Sequence, residues 1–368
     1  MPMMRVKRIL IFLLASLCIQ GIFSVPLAAE ALVRAAVPPI SISSFLSDTG
    51  LTFESYHRMM SDLIATGVYP HFLEKNAQRY DAFQAKNPDM PFGTIVAYVN
   101  VNADRGFYSD IEPVPFPYEN SALVNKHFAL PPRWMAGDLV YMGSGHRLRG
   151  EAAAHFAKMR DAITADGLRL QVMASFRTYQ TQADRHSRGV RRHGLASADR
   201  QFARAGHSEH QLGLAVDVLH RTGFEVMTQA RFQNTEAFSW LMENAYQFGF
   251  ILRYPYAHTH IHGYIFEPWH WRFVGVEIAT AMHHDGIALF EEFYGRYLAP
   301  AVLERVRRDL LRHPVLTQMG LREDRLQLRA YRFGGNNFLM LRDLTLRLAR
   351  VEHALVWRSA LERTAVTL

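Results

Sequence analysis

Apolar positions recur at helical spacing through residues 46–85, where Phe53, Tyr56, Met59, Met60 and Leu63 fall on one face. The run at 93–101, Gly-Thr-Ile-Val-Ala-Tyr-Val-Asn-Val, reads as a strand, followed by a loop rich in Pro and aromatics from Pro113 to Tyr118 that leads into Leu123-Val-Asn-Lys126. The period of 3.6 returns from Glu151 to Asp166, with Ala152, Phe156, Met159 and Ile163 on one stripe and Gly167 as the stop. Leu168 to Ala174 is a predicted strand, and Ser175-Phe-Arg-Thr178 lies at its end, where functional side chains commonly sit. Residues 212–218 read as a strand of period two, with Leu212, Leu214, Val216 and Val218 toward a core and Gly213, Ala215 and Asp217 on the other face. A helix from Glu236 to Phe248 closes at Gly249, and a strand from Phe250 to Tyr254 is halted by Pro255. Beyond residue 298 two helices are expected, basic and amphipathic from Ala301 to His313 and again from Leu341 to Val356, separated by a Gly334-Gly335 turn signal within Tyr331 to Phe338. Helices and strands mixed in this order predict an α+β fold, a small antiparallel sheet with flanking helices around a cleft, plus a mainly helical C-terminal accessory region.

The N-terminus follows a different pattern. Arg5, Lys7 and Arg8 precede an apolar run from Ile9 to Val25, and Ala28-Ala29-Glu30-Ala31 supplies an A-x-A step. A basic start, a short apolar core and small residues describe a secretory signal peptide ending at Ala31. An uncleaved anchor is the alternative, although Gln20 interrupts the run and its length is short for a span. The expected division is signal peptide at 1–31, linker and helical region at 32–92, main domain at 93–298 and accessory region at 299–368. The protein is expected to be exported, to the periplasm or the cell wall, and to meet a membrane only through the first segment if that segment stays attached.

Composition sharpens the search for chemistry. Of 368 residues 49% are hydrophobic and 20% charged, an ordinary globular balance. The one cysteine, Cys18, lies within the signal segment, so a metal site in the mature chain must be built from histidines and carboxylates. The formal charge is +7; losing residues 1–31 removes Arg5, Lys7, Arg8 and Glu30 and leaves +5. That modest field suits an anionic surface such as a cell wall. It lacks the basic clusters with interleaved aromatics that mark nucleic-acid binding.

Ser208-Glu-His-Gln-Leu-Gly-Leu-Ala-Val-Asp217 and Glu267-Pro-Trp-His270 together contain what a catalytic zinc site requires. His210, Asp217 and His270 can supply three ligands and leave a fourth position for water. Glu267 is the extra carboxylate that could take the water's proton. His210 and Asp217 are separated by seven positions, so a straight strand would put them on opposite faces; a bend near Gly213, or a loop position for His210, is required. The plainer alternatives are a buried strand with a satisfied Asp217, and a strand end with a surface Glu267 and a packed His270. Arg177 is a candidate for pairing with a terminal carboxylate or a developing oxyanion, or else a surface ion-pair residue. Ser208 is a candidate contact for the same carboxylate, or a turn cap. His258, His260 and His262 alternate, and a strand would present them as a possible second metal site. Neither G-x-S-x-G nor G-x-x-x-x-G-K is present, which argues against a serine hydrolase elbow and a phosphate-binding loop.

These two stretches resemble the S-x-H-x-x-G-x-A-x-D and E-x-W-H signatures of the VanY-type D-alanyl-D-alanine carboxypeptidases, zinc peptidases of peptidoglycan. The similarity extends through Leu123–Lys126, Ser175–Gln182, Gly249–Pro255 and Glu267–Gly275, covering roughly residues 93–298. The resemblance implies that His210, Asp217 and His270 bind zinc and that Glu267 is the general base and acid. It implies that Arg177 stabilises the substrate carbonyl or carboxylate, with Ser208 and Gln182 lining the pocket. Phe176 stands where the family usually has Tyr, and Ala205 where Pro is common. Peptidoglycan stem peptides are the implied partners. An L,D-carboxypeptidase acting on the tetrapeptide stem, and a catalytically silent wall-binding module on the same fold, are the rival expectations.

Overall fold

The computed structural model describes residues 40–222, 225–226, 228–311, 330–333 and 336–339. The segment expected as a signal peptide and the helix expected at 341–356 lie outside the described residues.

Helix α1 (Ile42–Thr49) starts at Ser41, whose hydroxyl accepts from Ser44 N, and α2 (Phe53–Ala65) starts at Thr52, which caps Ser55 N in the same way. The stripe read from the sequence, Phe53, Tyr56, Met59, Met60 and Leu63, is the buried face of α2. Helix α3 (Ala77–Lys86) follows.

The run expected as a strand at 93–101 is instead a helix, α4 (Phe92–Asn100). Seven of its nine residues, Phe92, Gly93, Ile95, Val96, Ala97, Tyr98 and Val99, are buried. A helix buried on nearly all sides carries no polar stripe, so its sequence cannot be told from that of a buried strand by periodicity. Its close neighbour is the segment Tyr294–Leu298, where a Cβ on Gly295 would lie 2.1 Å from Ala97 O.

The central sheet contains β1 (Leu170–Ala174), β2 (Ala215–Thr222), β3 (Glu225–Val226), β4 (Phe250–Leu252) and β5 (His270–Phe273). The order is β1-β2-β5-β4, antiparallel throughout, with β3 paired to the far end of β2. Helix α5 (Gly150–Ala165) buries the predicted stripe of Ala152, Phe156, Met159 and Ile163. Helices α6 (Tyr179–His193) and α7 (Leu195–Gln201) follow β1; α8 (Glu236–Asn244) runs on through a 3-10 turn to Gly249 at φ 80°. After β5 comes α9 (Val276–His284).

One apolar core runs from Ile40 and Phe45 through Phe156, Val216 and Trp271 to Val302, Leu303 and Val306. The last three belong to α10 (Pro300–Leu311), which overlaps the basic amphipathic segment expected at 301–313 and begins one residue before it. Strands Ala330–Phe333 and Asn336–Leu339 pair antiparallel, with Tyr331 opposite Phe338, on either side of the Gly-Gly turn signal. Together these elements make an α+β fold. No helix among the described residues is long and apolar enough to cross a membrane.

Candidate metal centre and active site

The register of the sheet brings the site together. Asp217, near the start of β2, stands opposite Ala174 of β1 on one side and His270 of β5 on the other. Residues that follow Ala174, and residues that precede β2 and β5, therefore reach one sheet end. The predicted strand at 212–218 begins only at Ala215; Glu209–Leu212 forms a 3-10 turn, and Gly213 takes φ 72°. That left-handed residue is the bend that His210 and Asp217 need in order to converge. A Cβ there would lie 2.8 Å from Leu139 Cδ2 as well, so glycine serves both conformation and packing.

Two imidazole nitrogens meet one carboxylate oxygen. His210 Nε2 lies 3.2 Å and His270 Nδ1 3.1 Å from Asp217 Oδ1, with the rings 86° apart. Tetrahedral zinc with bonds of about 2.0–2.1 Å sets its ligand atoms roughly 3.3 Å apart, so the spacing fits that metal. Among the described residues this is the group of His, Cys, Asp and Glu whose ligand atoms all lie within 4.8 Å of one another.

The other nitrogen of each ring is already used. His210 Nδ1 donates to Ser175 O at 2.7 Å, which fixes the tautomer with a free lone pair on Nε2. Burial lowers the His210 pKa to about 4, with the nearby Arg177 acting the same way, so the ring is neutral as a ligand must be. His270 Nε2 faces Glu209 Oε2 at 3.4 Å. Burial would depress His270, but hydrogen bonds to Asp217 and Glu209 outweigh it and hold its pKa at about 9. Two carboxylates thus favour positive charge at this ring in the metal-free protein, and a metal bound at Nδ1 would have to displace that proton. Asp217 stays ionised: burial opposes it, and His210 and His270 pull its pKa well below the usual carboxylate range.

Glu209 had no part in the sequence reading. It is fully buried, with Oε1 accepting from Arg253 Nε at 2.7 Å and Arg272 Nη1 at 2.8 Å. Arg253 also pairs with buried Glu291 at 2.6 and 2.9 Å. Two glutamates and two arginines balance in charge, which is what allows four ionised groups in a core. Sequence did hold a signal: Arg253 follows Phe-Ile-Leu and Arg272 sits within His-Trp-Arg-Phe, arginines in apolar strands that demand buried acids.

Glu267 lines the same cleft, 3.9 Å from His270 Nδ1 and beyond hydrogen-bond range. Burial pushes its carboxyl up to about 7, with Asp217 adding to the rise and His270 opposing it. Arg177 donates to Asp217 Oδ2 at 3.1 Å and to Gln182 Oε1 at 2.7 Å. Gln182 Nε2 goes to Ala203 O at 2.7 Å, so both ends of this amide are engaged within the protein. Ser208 and Trp269 also line the cleft, a cavity of about 140 Å³ that opens to solvent. All seven residues singled out for the site therefore border one cavity.

The three alternating histidines do not. His258 ends a 3-10 turn and Thr259–His262 is a short helix, so the strand alternation expected for them fails. His262 Nε2 bonds Pro255 O at 3.1 Å, and His258 Nδ1 reaches Tyr98 OH at 3.5 Å. β4 ends at Leu252, two residues short of the expected Tyr254, and after Pro255 the chain coils where an extended segment was expected.

Comparison with known proteins places this cleft. The family model for VanY, D-alanyl-D-alanine carboxypeptidase, matches residues 145–276. The D-alanyl-D-alanine carboxypeptidase of Enterococcus faecalis is 36% identical over 182 residues, 46% of this chain and 63% of that protein. The bifunctional D-Ala-D-Ala dipeptidase and D-Ala-D-Ala carboxypeptidase VanXYC of Enterococcus gallinarum is 32% identical over 158 residues, 42% of this chain and 80% of that protein. A crystal structure of a mutant vancomycin-resistance D,D-pentapeptidase VanY in complex with Zn(II) is 34% identical, covers 47% of this chain and 98% of its own, and has a TM-score of 0.43. The family model spans all seven of those cleft residues, and the Enterococcus gallinarum relative is matched over four fifths of its own length at 32% identity, so the chain belongs to the VanY D-alanyl-D-alanine carboxypeptidase family.

Proposed function

We propose that this chain is a zinc-dependent carboxypeptidase that removes the C-terminal D-alanine from peptidoglycan stem peptides. The observation that carries the reading is the convergence of His210 Nε2 and His270 Nδ1 on Asp217 Oδ1, with a free carboxyl, Glu267, in the same cleft. A structural site would have no use for that extra acid. Family membership supplies the substrate class.

A zinc ion held by His210, Asp217 and His270 would act as a Lewis acid and lower the pKa of a water to about 7. Glu267 takes that water's proton as its oxygen attacks the peptide carbonyl carbon. The same carboxyl then gives the proton to the departing amine nitrogen as the C–N bond breaks, releasing the shortened peptide acid and free D-alanine. Arg177 holds the carbonyl oxygen or the terminal carboxylate, Gln182 holds Arg177, and Ser208 lines the pocket. Residues 93–298 are the catalytic domain in this reading, 1–31 the export signal and 299–368 an accessory region. The protein then works outside the cytoplasm, where stem peptides are exposed.

Mass spectrometry of purified pentapeptide and tetrapeptide stems, incubated with and without a chelator, tests the assignment. Loss of D-alanine from the pentapeptide, abolished by chelation and restored by zinc, is expected. Release from the tetrapeptide alone would make it an L,D-carboxypeptidase, and release from neither would leave a silent wall-binding module.

A further inference from the structure

The cleft contains a second guanidinium. Arg185 lines it, half-buried, and its guanidinium lies 5.2 Å from the Phe202 ring centroid. Arg177 is committed to Asp217 and Gln182. Arg185 has no carboxylate partner among the described residues.

The position is built by one face of α6. Gln182, Arg185 and Gly189 stand at i, i+3 and i+7. Gln182 holds Arg177, Arg185 stacks on Phe202, and Phe202 is seated on the bare backbone of Gly189, where a Cβ would lie 2.4 Å from Phe202 Cδ2. A planar cation is thereby stacked on a ring in the substrate cleft, close enough for its charge to lower the Glu267 pKa but with no carboxylate at ion-pair distance among the described residues. Such a group matches a carboxylate bidentately. Arg177, touching Asp217, is the guanidinium beside the reacting end of the peptide, and Arg185 is the one left for a second carboxylate.

Resting on the carboxypeptidase reading above, we propose that Arg185 is a specificity residue that pairs with a side-chain carboxylate of the substrate. The preferred stem peptides are then those whose diamino acid carries a free carboxylate, over counterparts in which it is amidated or replaced by lysine.

The test uses two stem peptides that differ only in amidation of that side-chain carboxylate. The wild-type protein should show kcat/KM about tenfold higher for the free acid, and Arg185→Gln should bring the ratio to near one. A ratio that Arg185→Gln leaves unchanged overturns the proposal. So does an equal fall on both peptides, which would assign Arg185 to a carboxylate they share. Calorimetric titration of both peptides into zinc-loaded Glu267→Gln protein, with and without Arg185→Gln, reads the same preference without turnover. An Arg185-dependent binding preference with no turnover by the wild type would sink the carboxypeptidase reading and keep the subsite. Turnover without preference would do the reverse.

Discussion

Glu209 Oε2 lies 3.4 Å from His270 Nε2, on the nitrogen of the imidazole that Asp217 does not use. The contact turns the other nitrogen toward Asp217 and His210, and two buried arginines hold the glutamate in place. A carboxylate behind a ligand histidine fixes its tautomer and raises its basicity. Their pull is strong: Arg253 and Arg272, acting against burial, keep Glu209 well below the usual carboxylate range.

Replacing Glu209 by Gln should therefore weaken zinc binding about 10- to 100-fold, measured by competition with a chromophoric chelator. It should also destabilise the fold by roughly 3–5 kcal/mol, because two buried guanidinium groups lose their shared partner. Unchanged zinc affinity would show that His270 is oriented by other contacts.

Gly213 carries the bend between His210 and Asp217, the two proposed ligands of its segment. Gly213→Ala should cost about 1–2 kcal/mol for the left-handed conformation alone, and more from the close approach to Leu139. Urea unfolding reads the stability, and zinc stoichiometry reads whether His210 still meets Asp217. A variant as stable as the parent would mean that the chain can turn elsewhere.

His71 is fully buried, donates from Nε2 to Gly93 O at 3.0 Å, and has its pKa lowered to about 3 by burial, with Arg296 adding to the effect. The unfolded chain takes up a proton near pH 6.5 and the folded chain does not. The stability this neutral ring contributes is thus intact above about pH 6.5 and is lost as pH falls toward 3. Comparing wild type with His71→Gln cancels the other titrating groups. The stability difference should shift against the wild type by about 2 kcal/mol between pH 7 and pH 5. A difference independent of pH would mean that His71 protonates freely in the fold.

Much of the site was legible because it lies in two short stretches whose glycine and proline constrain the backbone. The odd spacing of His210 and Asp217 even demanded the bend now seen at Gly213. Glu209 was not legible: it stands between Ser208 and His210 with no periodic mark, and its partners lie 44 and 63 residues away. Helix α4 was misread because an apolar run buried on nearly all sides has no polar face to report its period. The histidines at 258, 260 and 262 alternate in sequence, yet the turn after Pro255 is helical and alternation has no meaning there.

The central claim is that Glu267 moves the proton for a zinc-activated water. Its most direct test is D-alanine release from the pentapeptide stem by wild type and Glu267→Gln, with bound zinc quantified in the same samples. One zinc per chain in both proteins, with turnover lower in the variant by about 10²–10⁴-fold, is the predicted result. Near-normal turnover by the variant with zinc bound would contradict it.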